Sequence, residues 1–478
     1  MSLVTTKCNL SSHAAGIPWD KFPRTMKDAM HLALELGMRF IWIDALCIVQ
    51  DDTNDWKEQA SQFGRIYENA LFTVSATASR DAHSGCFSSQ HNGGYQLNNR
   101  LSSMGEVDIY VRQACEETHD ALFDGEDKYG DPGELTRFPI LLRGWTFQER
   151  MLSWRMLHCG PEELAWECID KVECECSCVR VCQSDRGRAI PETKRIIEDH
   201  LRKASSETRA MRNHPLRQWG TILGDYSSRQ FTYPRDRLVA LEGIAQRFKR
   251  FDMGSYLYGL WGKNIPIQLE WAIVGEDGTR TRLDLPTWSW ASICGQCHYE
   301  TYPFSSDYEA LNLCEVVKLP TDPSAEGDIS SRSLILASRV VDAKIHLRRP
   351  RFLDDDDPFQ VKIKINGHLF KLSEDICQWR EGSAEWEDMQ ADERLAEGQA
   401  VVCMELSTCT YVSTVPPSPH LMYTQTWLVL RQSSQEEGVY QRVGAIRINE
   451  TLERGRIEVP ARIQRIDHQA EKRTLQIK

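Results

Sequence analysis

The sequence predicts an α/β layer at the N-terminus, a mostly helical middle and a β-rich C-terminal lobe. Three observations predict it. Helix-spaced apolar residues alternate with short apolar runs through about the first 90 residues. Helical spacing returns between residues 185 and 250, and strand-like segments follow one another from about residue 330 onward. The expected divisions are 1–168, 169–300 and 301–478.

Met26, Ala29, Met30, Ala33 and Leu34 fall on one face of a helix that Thr25 can cap and Gly37 can stop. Phe40-Ile41-Trp42-Ile43 reads as a strand covered on both faces, with Asp44 at its carboxyl end. Trp56, Ala60, Phe63, Tyr67 and Ala70 mark a second helix, and Leu71–Ala76 the next buried strand. Strand, helix, strand with short connections implies a parallel sheet. Residues 90–135 read as an insertion or lid with one strand at Val107, Ile109 and Val111. Then come a turn at Arg143-Gly144, a helix from Trp145 and a strand over Arg155–Cys159. In the middle, Ile196, Ile197 and Leu201 fit one helix, and Trp219, Leu223 and Tyr226 another. Late strands are SLILAS, FQVKIKI, QAVVCMEL, TWLVLR and YQRVGAIRI, separated by solvated acidic loops near Asp354–Asp357 and Glu381–Glu397.

Composition narrows the function. The 478 residues are 41% hydrophobic and 26% charged and include 14 Trp, which excludes disorder throughout. A net charge of −12, from 57 basic against 69 acidic residues, argues against a general nucleic-acid binder. Phe40–Val49, the most apolar stretch, is about half the ~20 residues a membrane span needs and contains Asp44. With no basic and apolar leader at the N-terminus, the expectation is a soluble cytoplasmic protein whose 16 cysteines stay reduced. No phosphate-binding glycine loop, nucleophile elbow or zincin motif is present.

From Trp42 onward the residues become specific. Trp42-Ile43-Asp44-Ala45-Leu46-Cys47-Ile48-Val49-Gln50-Asp51-Asp52 is followed in order by Ile66-Tyr67, Gly85-Cys86-Phe87 and Arg143-Gly144-Trp145-Thr146-Phe147-Gln148-Glu149. This ordered set resembles the fungal heterokaryon incompatibility domain, over roughly residues 1–168. Tyr226-Ser227 with Asp236-Arg237-Leu238, Trp288-Ser289-Trp290-Ala291-Ser292 and Tyr440-Gln441-Arg442-Val443-Gly444 resemble blocks that follow it in longer members. Members of that family open with a strand resembling Tyr-x-Ala-Leu-Ser-Tyr-x-Trp-Gly, ahead of the segment matching Val4–Pro23. This sequence does not contain that strand, so the expectation is either a start placed too far downstream or a shortened member.

The resemblance implies a role in self/non-self recognition and cell death. It implies homo-oligomers or other incompatibility proteins as partners. The family is also similar, distantly, to Toll/interleukin-1 receptor domains, some of which cleave NAD at the nicotinamide–ribose bond. That likeness implies a Toll/interleukin-1-receptor-like fold, NAD as substrate and Glu149 as the catalytic carboxylate, one helical turn from Trp145. Arg143 would meet a phosphate, Trp42 or Trp145 would stack a ring, and Asp44 would face the ligand crevice. The competing readings are structural. Asp44 caps the next turn, Glu149 pairs with Arg143 or Arg150, and both tryptophans are core. A non-enzymatic module acting by self-association or partner binding, or a degenerate member, are the rival functions.

Two cysteine clusters remain. Cys168, Cys174, Cys176, Cys178 and Cys182 depart from the paired spacing of structural zinc sites, though 174, 176 and 178 share one strand face. Cys294-Gly295-Gln296-Cys297-His298 matches a haem-attachment string that requires another compartment. Reduced thiols are the plainer reading of both; the alternative is a zinc site, with the second cluster as one half and thiols from 168–182 as the other, and no metal ligand set is assigned.

Overall fold

A computed structural model of the protein describes residues 3–87, 95–101, 105–111, 122, 137–168, 171–176, 194, 215–274, 279–280, 284–299, 308–320, 332–348, 360–375, 394–413, 420–452, 466 and 469–478. They divide into two compact units. The first comprises residues 1–203 and 229–247, and the second residues 204–228 and 248–478.

In the first unit, α1 (Leu10–Ala15) precedes α2 (Arg24–Glu35). Pro23 rather than Thr25 stands at the start of α2; the Thr25 hydroxyl instead donates to the Asp81 carbonyl at 3.2 Å. Gly37, with φ 71°, ends the helix as its spacing predicts. Only Met26 of the expected apolar face is buried, and Leu34 is 66% exposed. A single turn, α3 (Asp44–Cys47), leads to α4 (Thr53–Asn69). The Asp52 carboxylate caps α4 by accepting the backbone N–H of Asn54 at 2.9 Å, a device worth ~1 kcal/mol.

The predicted strand Phe40–Ile43 does not form. Ile43 is extended (φ −132°, ψ 120°), yet the segment joins no ladder and Phe40 is 88% exposed. Among the described residues no strand pairs with its backbone groups. Trp42 alone is tied inward, edge-on to Phe63 at 5.4 Å and Tyr67 at 5.8 Å.

The sheet is mixed rather than parallel. Its strands are β1 (Thr73–Ser75), β4 (Arg155–Cys159), β5 (Leu164–Cys168) and β6 (Val172–Cys174), in the order β1-β4-β5-β6. A separate hairpin, β2 (Tyr95–Leu101) with β3 (Gly105–Val111), lies between β1 and β4 in the chain. β1 and β4 run parallel, joined by a long crossover that ends in α5 (Gly144–Leu152). β4, β5 and β6 are linked by connections too short for a crossover, so they pair antiparallel. Helix Asp236–Phe248 returns to this unit beside α4 and α5. The expected helix with Ile196, Ile197 and Leu201, and the acidic run Asp354–Asp357, lie outside the described residues.

In the second unit, helix Pro215–Tyr226 buries Trp219, whose indole N–H donates to the Gly259 carbonyl at 3.1 Å. Trp261, Trp271, Trp288 and Trp290 are fully buried around short strands over residues 256–298. The C-terminal part is β-rich, as its sequence predicts. Its long strands are β7 (Leu334–Arg348), β8 (Gln360–Ile365), β9 (His368–Lys371), β10 (Ala400–Ser413), β11 (His420–Gln432), β12 (Val439–Leu452) and β13 (Glu471–Ile477). Strand β7 pairs with β10 and also with β13, so β7-β10-β11-β12-β13 close into a ring. Arg442 on β12 is fully buried against the Asp375 carboxylate at 2.8 Å. Its guanidinium stacks on Trp271 at 3.5 Å and donates to the Leu269 and Trp271 carbonyls. Such a charge is tolerable because it is paired and each of its three nitrogens donates a hydrogen bond.

Candidate functional site

The heptapeptide Arg143–Glu149 is legible residue by residue in the first unit. Gly144 opens α5 where the chain runs against Phe231; a Cβ there would overlap the ring. Trp145 donates its indole N–H to Asp236 at 3.3 Å. The Thr146 hydroxyl closes the turn on the Ile140 and Arg143 carbonyls. Phe147 is buried beneath the Arg229 guanidinium, and Gln148 accepts the Gly243 backbone N–H at 2.7 Å. Three of these side chains, Trp145, Phe147 and Gln148, thus fix the helix against residues 229–247. Glu149 is aimed elsewhere, into a cavity of about 260 Å³.

That cavity is lined by Asp44 of α3, by Trp56, Phe63 and Tyr67 of α4, by β1, by Arg143, Trp145 and Glu149, and by Met156 and His158 of β4. Four of the five residues expected to form a site therefore meet in one cavity: Asp44, Arg143, Trp145 and Glu149. Trp42 does not line it; its ring backs Phe63 and Tyr67, which do. Asp44 begins α3 rather than ending a strand, and its carboxylate also accepts the Ala45 N–H at 2.7 Å.

Burial, reinforced by the negative charge of Asp44, pushes the Glu149 carboxyl up to about 7. The Arg143 guanidinium and a hydrogen bond from Tyr67 oppose that rise without cancelling it. Tyr67 itself is held well above its usual range by burial and by the charges of Glu149 and Asp44, so it remains a donor. A carboxyl that is half ionised near neutrality, beside an exposed arginine and a half-buried indole, can serve as base or electrostatic stabiliser.

The adjacent Arg150 does not pair with Glu149. It turns to the buried Glu167 at 2.7 Å, which also accepts Lys194 at 2.8 Å and His158 Nε2 at 3.0 Å. Burial alone would raise the Glu167 carboxyl, but Arg150 and Lys194 outweigh it and hold it well below the carboxylate range. Burial keeps His158 low and neutral, with Nδ1 left to meet the Thr77 hydroxyl at 3.3 Å. Sequence reasoning assigned no role to Tyr67, Glu167, His158 or Lys194. Tyr67 looked like helix-face core, and the Glu167 partners come from three separate segments.

The cysteine string near residue 294 does not converge: Cys294 is exposed and Cys297 is buried, its backbone N–H bonded to Ser227. Cys178 and Cys182 lie outside the described residues. No helix among the described residues is long and apolar enough to cross a membrane.

Residues 3–149 match the family model described as heterokaryon incompatibility protein (HET). The N-terminal segment is therefore a heterokaryon incompatibility domain, and the match ends at Glu149 itself. Neither a curated protein nor a solved structure matches the chain.

Proposed function

We propose that the protein is a cytoplasmic incompatibility effector that promotes cell death by cleaving NAD, with Glu149 as the catalytic carboxylate. The observation that supports this reading is the Glu149 carboxyl, at about 7, in one cavity with Asp44, Arg143 and Trp145. The cavity is below the ~300–1,000 Å³ of sites that enclose a whole drug-sized ligand, so it suits one end of a dinucleotide. In this reading Trp145 packs on the nicotinamide ring and Arg143 meets the diphosphate. The bond between ribose C1′ and the nicotinamide nitrogen breaks, its electron pair staying on neutral nicotinamide. Ionised Glu149 stabilises the positive charge growing on the ribose, then takes a proton as water oxygen bonds to C1′. The products are nicotinamide, ADP-ribose and a proton. The Toll/interleukin-1-receptor-like reading of the fold belongs to the same proposal.

The test is nicotinamide release by the purified full chain and by Glu149→Gln, measured by chromatography. Release that needs Glu149 carries the proposal, and equal release or none from both removes it.

A second reading has its own support. Leu34, Leu36, Phe40 and Ile41 are exposed apolar residues, from 40% to 88% accessible. Such a run favours a module that acts by association with a copy of itself or another incompatibility protein. Sedimentation of Phe40→Asp against the unaltered chain tests self-association: a loss of assembly supports it, and a monomer in both excludes it.

A further inference from the structure

Where the β4–β5 turn meets the end of β6, three ligating side chains come together. Cys174 and Cys176 place their sulfurs 3.2 Å apart, and Cys176 Sγ lies 3.5 Å from Glu163 Oε1. One ligand atom from each of the three lies within 4.8 Å of the other two. Glu163 is only 2% exposed, and its second oxygen accepts the Cys176 backbone N–H at 2.9 Å, which holds the carboxylate toward the thiols. Cys174 is fixed by the sheet, in register with Ala165. None of the three lines the cavity around Glu149, and β6 is at the opposite edge of the sheet from β1.

We propose that Glu163, Cys174 and Cys176 bind a thiophilic divalent cation, with zinc as the best fit. Zinc bonds of ~2.3 Å to sulfur and ~2.0–2.2 Å to oxygen, set tetrahedrally, put sulfurs about 3.8 Å apart and sulfur about 3.5 Å from oxygen. To reach that geometry the two sulfurs, now 3.2 Å apart, must part by about 0.6 Å. The Cys176 Sγ to Glu163 Oε1 distance of 3.5 Å hardly changes, and the Cys174 sulfur starts within 4.8 Å of the carboxylate. Two thiolates select a borderline-soft ion over calcium or magnesium. On binding, each thiol loses its proton to solvent, two sulfurs and one carboxylate oxygen bond the ion, and water fills the fourth position. The ion clips β6 to the β4–β5 turn. Spacing along the sequence hid the site because the third ligand, Glu163, comes from a different turn.

The experiment uses the full chain, reduced and stripped of metal, titrated with zinc against a metallochromic indicator and then with cobalt. The expected result is one equivalent bound with proton release, a thiolate-to-cobalt charge-transfer band, and protection of Cys174 and Cys176 from alkylation in peptide mapping. Cys174→Ser, Cys176→Ser and Glu163→Gln each weaken binding by at least ~10-fold. If a variant fails to fold, the alkylation map of the unaltered chain decides. Substoichiometric binding, protection of other cysteines instead, or affinity unchanged by the substitutions overturns the proposal.

Discussion

Asp44 and Glu149 face one cavity from two different helices, and the charge of Asp44 helps keep Glu149 protonated. A folded carboxyl at about 7 against an ordinary 4.5 means the folded state holds more protons than the unfolded chain between those values. Stability therefore falls as pH rises from about 4.5 to 7 and is flat above. At ~1.4 kcal/mol per unit, the ionised group costs on the order of 3–4 kcal/mol at pH 8. Glu149→Gln should raise the denaturation midpoint at pH 8 and leave it nearly unchanged at pH 4.5. Equal effects at both pH values would show that Glu149 is not strained.

The pH dependence of catalysis should follow the same group. If ionised Glu149 acts on NAD, kcat/KM rises with pH to a plateau with a midpoint near 7. Asp44→Asn removes a repelling charge and should move that midpoint down. Tyr67→Phe removes a hydrogen bond to the ionised form and should move it up, each by about half to one unit. Rate–pH profiles of the two variants check the opposite signs.

Gly144→Ala should destabilise the first unit by about 1–3 kcal/mol or more, because the new methyl group overlaps the Phe231 ring. Pairing it with Phe231→Ala, which removes that ring, should recover much of the loss. Urea denaturation of the single and double variants measures the coupling, and strict additivity would rule the clash out.

Glu167→Gln leaves Arg150 and Lys194 buried without their anion, a loss of about 3–5 kcal/mol. The folded Glu167 carboxyl is held low, so its stabilising contribution is present above about 4.5 and is lost as pH falls toward the folded value. The unaltered chain should thus lose stability on acidification below pH 4.5, and Glu167→Gln should lose less there. Melting curves from pH 3 to pH 7 compare the two.

The local periodicities carried most of the helices, because α2, α4 and helix Pro215–Tyr226 are set by spacing and by stops such as Gly37. Phe40–Ile43 misled for a physical reason. An apolar β-prone run states that a segment can be a strand, and the neighbour that makes it one is not part of the run. Asp44, Arg143, Trp145 and Glu149 were singled out through the family resemblance, and the structure brings the four to one cavity. Tyr67 and the Glu167 cluster were not, since their roles exist only once distant segments meet.

Residues 229–247 belong to the first unit although residues 204–228 belong to the second. Trp145, Gln148 and Gly144 all rest on that late segment. During synthesis, the ribosome must therefore release the chain well past residue 247 before the cavity can take its final shape. A nascent or truncated product ending at residue 149, where the family match stops, carries every residue proposed to act on NAD yet lacks the surface that aims Glu149. If NAD cleavage is the activity, such a product is expected to release no nicotinamide, because the order of the gene supplies the bracing segment only after the residues it braces.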